Sequence, residues 1–243
     1  MKPRIRTYIE GFDDILDGGI PKGHNVLITG TPGTMKSSVA YSILHNNALN
    51  EGTKGLYISL EQKRASLFDH MKSMGMDPAT VKDEVSVLDL SALRKKMQDA
   101  KQDVWVDFLT MYTKSIKSGF DYGLLVLDSL DAVEALAKFE DFRMEFFRLL
   151  KWFKALGLTS LIITEMPGVS PPLGSSADLW NAFGKHKEDY LADGIILLKM
   201  EKRGDFEVQR RIRCVKMRSV RHDTRYFAIV FEGGKFQVTR IMA

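Results

Sequence analysis

The stretch Gly30-Thr31-Pro32-Gly33-Thr34-Met35-Lys36-Ser37 constrains this chain more than any other. It follows the apolar run Val26-Leu27-Ile28 and precedes a helix-permissive segment, Ser38 to Asn50. A buried strand, a glycine-bearing loop, Lys-Ser and a helix form the arrangement of a phosphate-binding P-loop. Backbone N–H groups from Gly33 to Ser38 can wrap a β-phosphate, and the helix N-terminus adds partial positive charge. Lys36 is placed to reach β- and γ-phosphate oxygens, and the Ser37 hydroxyl to sit on Mg²⁺. The bland alternative is a tight Gly-Pro turn that happens to precede Lys-Ser.

One position departs from the pattern G-x-x-x-x-G-K-[ST]. Met35 stands where the second glycine is usual. Glycine there permits φ > 0 or a close approach to phosphate. A methionine in left-handed geometry costs on the order of 1–2 kcal/mol. Binding is therefore expected to survive, with the Met35 side chain turned from the phosphates, and Met35→Gly to tighten it or speed turnover.

The 243 residues suffice for one sizeable α/β core. No apolar run approaches the roughly 20 residues of a membrane span. Basic residues open the chain, Lys2, Arg4 and Arg6, but no apolar segment follows them, which does not read as a secretory signal. The single cysteine, Cys214, excludes an internal disulfide and fits a reducing, cytoplasmic setting. It sits in an alternating pattern, which predicts a packed small hydrophobe. Between Glu201 and Arg225 nine Lys/Arg stand against four Asp/Glu, within a chain of net charge +4. Polyanions suit such a stretch; so does a solvated strand face.

Helical and strand patterns alternate up to about Thr164, and strands alone follow. Apolar runs predict strands at Val26–Thr29, Gly55–Leu60, Val85–Leu90, Gly123–Leu127 and Thr159–Thr164. Helices are expected over Ser38–Asn50, Ala65–Met74, part of Ser91–Ser118 and Arg143–Leu156. Ile195–Met200, Glu207–Met217, Tyr226–Phe231 and Lys235–Ile241 read as further strands, with Gly233-Gly234 as a hairpin turn. The expectation is a single α/β domain over 1–243, with a mostly parallel central sheet extended by antiparallel C-terminal strands. Glu165 to Lys187, rich in proline, glycine and serine, reads as a long functional or mobile loop.

Three strand ends carry acids. Asp128 closes Leu124-Leu125-Val126-Leu127, where a carboxylate can hold Mg²⁺ directly or through water, with Ser129 supporting the water shell. Glu61 follows Leu56–Leu60 and can polarise a water for attack on a γ-phosphate; a helix cap or surface acid is the alternative. Thr164-Glu165 can sense that phosphate, or face solvent. Lys216 and Arg218, two apart in a strand, share a face and can stabilise a transferring γ-phosphate, in trans if it belongs to a neighbouring subunit. Read from spacing alone, a charged strand face is the favoured reading of the pair.

These motifs together resemble a KaiC-like domain of the RecA superfamily. Gly11-Phe12-Asp13-Asp14-Ile15, Gly18-Gly19-Ile20-Pro21 and the P-loop resemble its opening. Tyr57-Ile58-Ser59-Leu60-Glu61 resembles its second strand and catalytic glutamate, and Leu125-Val126-Leu127-Asp128-Ser129 its Walker B segment. Thr164-Glu165 and Ala192-Asp193-Gly194-Ile195 fall in the expected order, and Lys216-Met217-Arg218 resembles a Lys-x-Arg finger segment. The resemblance implies a RecA-like ATPase core that binds ATP and Mg²⁺ at subunit interfaces of a ring, commonly a hexamer. Lys216, Met217 and Arg218 then serve the neighbour's nucleotide, with Val220 and His222 touching it. Where the family often has paired acids, this chain has Glu61-Gln62, leaving Glu61 as sole base. A lone domain does not read as a clock protein.

Three functions follow. The first is a slowly hydrolysing ATP-binding oligomer whose nucleotide state controls a partner that no motif names, a protein being one candidate. The second is a DNA-binding recombinase paralogue, for which the loop offers only Trp180, Phe183, Lys185, His186 and Lys187. The third is an assembly platform that binds ATP without turnover.

Overall fold

The computed structural model describes residues 3–91, 104–137, 139, 141–166, 188–204 and 207–241. A short antiparallel ribbon, β1 (Arg4–Ile5) with β2 (Ile20–Pro21), brackets the one-turn helix α1 (Phe12–Ile15). Phe12, Leu16 and Ile20 are buried and fasten this leading segment to the core.

The main sheet has nine strands among the described residues. Six run parallel: β3 (Asn25–Gly30), β4 (Gly55–Ser59), β5 (Val85–Asp89), β6 (Leu124–Asp128), β7 (Thr159–Glu165) and β8 (Gly194–Arg203). Three antiparallel strands extend it: β9 (Glu207–Met217), β10 (Phe227–Glu232) and β11 (Lys235–Arg240). The order is β11-β10-β9-β8-β3-β7-β6-β4-β5. This is the α/β architecture that the alternating pattern predicts. Every residue of β3, β4 and β6 is buried, because helices cover both faces and leave no side for polar alternation.

One face carries α2 (Lys36–Glu51) and α3 (Arg64–Ser73), packed through Val39, Tyr41, Leu44, Leu67 and Met71. The other carries α4 (Val104–Gly119), α5 (Leu130–Ala137) and α6 (Phe142–Ala155), packed through Leu109, Val133, Phe146, Leu150 and Phe153. Gly52, at φ 61, ends α2 in the left-handed conformation that glycine adopts without strain.

Two features differ from the sequence expectation. Helix α5 has no counterpart in it; the helix is eight residues long and its start depends on a cap rather than a long apolar stripe. The ribbon β1–β2 has two residues per strand, too few to show a period of two. The loop expected from Glu165 to Lys187, with its Trp180, Phe183, Lys185, His186 and Lys187, lies from residue 167 onward outside the described residues. Among the described residues, no helix is long and apolar enough to cross a membrane.

Candidate active site

Strand β3 ends at Gly30, and the chain must turn sharply there. A Cβ on Gly30 would stand 2.2 Å from the Leu198 carbonyl oxygen of β8, so only glycine allows this approach. Thr34 donates its hydroxyl hydrogen to the Thr31 carbonyl at 2.8 Å and closes the loop on itself. Met35 then takes φ 71, ψ 29 and forms the N-cap of α2. Its side chain is half-buried and packs against the core cluster that holds Val39 and Phe236. Tertiary packing thus holds a methionine in glycine's usual conformation.

The Lys36 ammonium donates to the carbonyls of Gly30 at 2.9 Å and Thr31 at 3.1 Å. Burial pulls its pKa below the ordinary lysine value, while the carboxylates of Glu165, Asp131, Asp128 and Glu61 pull it upward. Those acids come from the ends of β7 and β6, from α5, and from the turn after β4. The parallel sheet therefore gathers these acids on the same side as Lys36, at the carboxyl ends of its strands, as expected for a ligand crevice.

Asp128 is 6% exposed and accepts a hydrogen bond on Oδ2 from the buried Tyr57 hydroxyl. The Ser37 hydroxyl neighbours both groups. Burial raises the Asp128 pKa, and the neighbouring Tyr57 and Ser37 hydroxyls oppose that rise. The peptide bond between Asp128 and Ser129 is cis. The Ser129 hydroxyl caps α5 by accepting from the Ala132 amide at 3.3 Å, and it donates to Glu61 Oε1. Ser129 thus hydrogen-bonds the candidate base, a contact that the water-shell expectation did not include. Thr164 is buried, while Glu165 is exposed and its amide donates to Asp131 Oδ2 at 2.6 Å.

The donor set suits magnesium. Among the described residues there is no group of three or more His, Cys, Asp or Glu side chains able to cage a metal. Magnesium seldom uses such a cage; it takes one or two hard oxygen donors beside substrate phosphates and water. Ser37 at the start of α2 and Asp128 at the end of β6, neighbours in the structure, supply that pair.

Lys216, Met217, Arg218, Val220 and His222 stand apart from this group. Lys216 pairs with Ile195 at the amino end of β8, and its ammonium donates to the carbonyls of Asp189 at 2.9 Å and Ala192 at 2.8 Å. Arg218 donates to Asp193 Oδ1 and the Tyr190 carbonyl, both at 3.2 Å. Met217 is buried, and Val220 packs against the core. His222 Nδ1 lies 3.1 Å from the Val220 carbonyl, and its ring lines a cavity of about 690 Å³ walled by Asp14, Arg221, Arg225 and Arg240. Within one chain, then, the P-loop and this cationic end are opposite poles of the sheet.

Part of the basic excess near the C-terminus is internally answered. Arg211 and Lys199 pair with Glu201, Arg225 with Asp223, and Arg213 lies over the Tyr226 ring. Arg210 donates to the Gly33 carbonyl at 3.2 Å and so touches the P-loop from β9. Sequence reasoning missed Arg210, Asp131 and the role of Tyr57. Only Tyr57 left a signal, as a hydroxyl inside an otherwise apolar buried strand.

The family model for the ATPase KaiC matches residues 5–240. The circadian clock oscillator protein KaiC of Rippkaea orientalis is 28% identical over 223 residues, covering 90% of this chain and 40% of that protein. KaiC of Synechococcus elongatus is 27% identical over 236 residues, with 90% and 41% covered. The chain thus spans about two fifths of the length of these relatives. Among solved structures, a KaiC-like protein from the hyperthermophilic archaeon Pyrococcus horikoshii OT3 superposes with a TM-score of 0.80 at 23% identity, over 99% of this chain and 100% of that one. That match fixes the fold as the RecA-like core with antiparallel C-terminal strands.

Proposed function

The chain belongs to the KaiC ATPase family, and from that footing we propose that it binds ATP with Mg²⁺ and hydrolyses it slowly, as an oligomer whose nucleotide state controls a partner. The observation that carries this reading is the loop itself, with Gly30 pressed on β8 and Lys36 held over the Gly30 and Thr31 carbonyls, beside a β6 end where Asp128 is bound by Tyr57 and Ser129 holds Glu61. We read residues 1–243 as one domain, since a continuous sheet joins β5 to β11.

In this reading the amides from Gly33 to Ser38 hold the β-phosphate, and Lys36 exchanges its carbonyl partners for β- and γ-oxygens. Ser37 and Asp128 hold Mg²⁺, which when bound neutralises charge on those oxygens. Glu61, oriented by Ser129, accepts a proton from the attacking water; the water oxygen bonds to the γ-phosphorus and the bond to the ADP oxygen breaks. Glu165 and Asp131, linked through the Glu165 amide, relay the γ-phosphate's presence to the chain beyond β7. Lys216 and Arg218 face away from their own P-loop, which supports service to a neighbour in a ring, a hexamer being the expected size. A cytoplasmic setting suits an ATP-dependent protein with one buried thiol.

The test is direct. The full chain is titrated with a fluorescent ATP analogue, and phosphate release is measured alongside size-resolved chromatography with and without Mg-ATP. Lys36→Ala should lose affinity on the order of 100-fold, the value of a charged contact of about 3 kcal/mol. Unchanged affinity refutes the assignment. Glu61→Gln should stop release while binding persists; release absent from the wild type as well would favour the platform that binds without turnover. The DNA-binding alternative loses support from the internal pairing of the basic strands. Salt-sensitive binding of single-stranded DNA would restore it.

A further inference from the structure

Tyr57 lies on β4, level with Val126 of β6, and Ser59 is level with Asp128. Residues 57 and 59 share a face, so the phenol runs along the sheet toward the strand ends. Its ring is fully buried, wedged between β6 and α2, with its centroid 5.8 Å from that of Tyr41. A phenylalanine would fill that space equally well. The hydroxyl is what a phenylalanine lacks, and it donates to Asp128 Oδ2. A buried hydroxyl costs free energy unless it is partnered, so its retention needs a reason.

We infer that Tyr57 is a positioning residue for the metal: its hydroxyl fixes the rotation of the Asp128 carboxylate so that this acid and the Ser37 hydroxyl meet Mg²⁺ in register. The inference rests on the nucleotide-binding reading above and deepens it. Magnesium demands near-octahedral geometry with short, fixed distances, so a carboxylate free to rotate is a poorer ligand. Groups that orient a metal's ligands typically account for 10–100-fold in metal affinity. Tyr57 does so from a place that also ties the helix carrying Lys36 to the strand carrying Asp128, through Tyr41 on one side and the carboxylate on the other.

The experiment reads Mg²⁺ dependence rather than turnover. A fluorescent ATP analogue is bound to the full-length chain across a Mg²⁺ series and in EDTA. Tyr57→Phe should raise the Mg²⁺ concentration for half-maximal binding about tenfold, while affinity in EDTA stays within about twofold. A purely packing role would move both together or neither. In an Asp128→Asn background, Tyr57→Phe should add nothing; a further tenfold shift there overturns action through Asp128. An unmoved half-point in Tyr57→Phe, with wild-type binding intact, overturns this inference alone. Failure of the wild type to bind at any Mg²⁺ concentration refutes the nucleotide reading as well. If Phe at 57 lowers the melting point below the assay temperature, difluorotyrosine at 57 keeps ring and hydroxyl but donates more strongly; its half-point must move, and an unmoved one overturns the inference.

Discussion

Lys216 stands opposite Ile195, and Ile195 is level with Leu27, three positions before Gly30 opens the P-loop. Three strand residues span about 10 Å, and the Lys216 ammonium is anchored toward Asp189 and Ala192. The pair Lys216 and Arg218 therefore cannot serve the P-loop of its own chain. Each single variant, Lys36→Ala and Arg218→Ala, should be inactive in phosphate release. Mixing the two should restore part of the activity, because some interfaces then join an intact P-loop to an intact Arg218. Mixtures no better than the separate variants would exclude service in trans.

Met35 concerns stability rather than affinity. Its left-handed backbone belongs to the cap of α2, and its side chain is held by the core. The conformational cost of about 1–2 kcal/mol therefore falls on folding, and the half-buried thioether offsets it by about 1 kcal/mol. Met35→Gly relieves one and removes the other. Its unfolding free energy should differ from wild type by less than about 1 kcal/mol in denaturant melts. ATP affinity should change by less than about threefold, in place of the tightening that the pattern alone suggests. A tenfold gain in affinity would show that the loop changes conformation on binding.

Asp193 gathers the Asn25 amide at 3.0 Å, Lys154 at 2.8 Å and Arg218 at 3.2 Å. Burial alone would raise its pKa, but the hydrogen bonds from Lys154 and Asn25 and the charges around it hold it below the ordinary value. A depressed carboxylate pKa contributes stability above the unfolded value, near pH 4, and loses it as pH falls through the folded value. Asp193→Asn should therefore be less stable than wild type at pH 7, by about 1–3 kcal/mol. The gap should narrow below about pH 4. A gap that is constant across pH 3–7 would assign the loss to packing.

Cys214 is buried on β9, and burial pushes its thiol up to about 12. At pH 8 the thiolate fraction is then on the order of 10⁻⁴. The native chain should resist maleimide labelling for hours and take up one equivalent once unfolded in guanidinium. Prompt native labelling would place the thiol at an opening in the sheet.

The sheet was legible because its central strands are buried on both faces and read as apolar runs: Leu56 to Leu60 and Leu124 to Leu127 stand out in the sequence. The P-loop and the strand-end acids were legible for the same reason, since each acid terminates such a run. What escaped depends on contacts between distant segments. Helix α5 starts at Ser129, whose hydroxyl is shared between Ala132 and Glu61, 68 residues away. Arg210 reaches Gly33 across 177 residues. Asp131 gains its meaning from the Glu165 amide, 34 residues on. No spacing rule carries information over such separations.

The opposed poles of the sheet give the molecule a direction. A P-loop at one end and a cationic segment at the other suit a heterologous contact, in which the cationic end of one copy meets the P-loop of the next. If Lys216 and Arg218 serve a neighbour as proposed, each added copy would complete one site and present a fresh, incomplete one, so association would run head to tail. Such a series ends only when the last copy meets the first, and otherwise grows as a fibre. The small rotation between neighbours thus decides between a closed circle of sites and an open helix, and any change that alters that rotation would change the number of sites per assembly without touching a single residue that meets nucleotide.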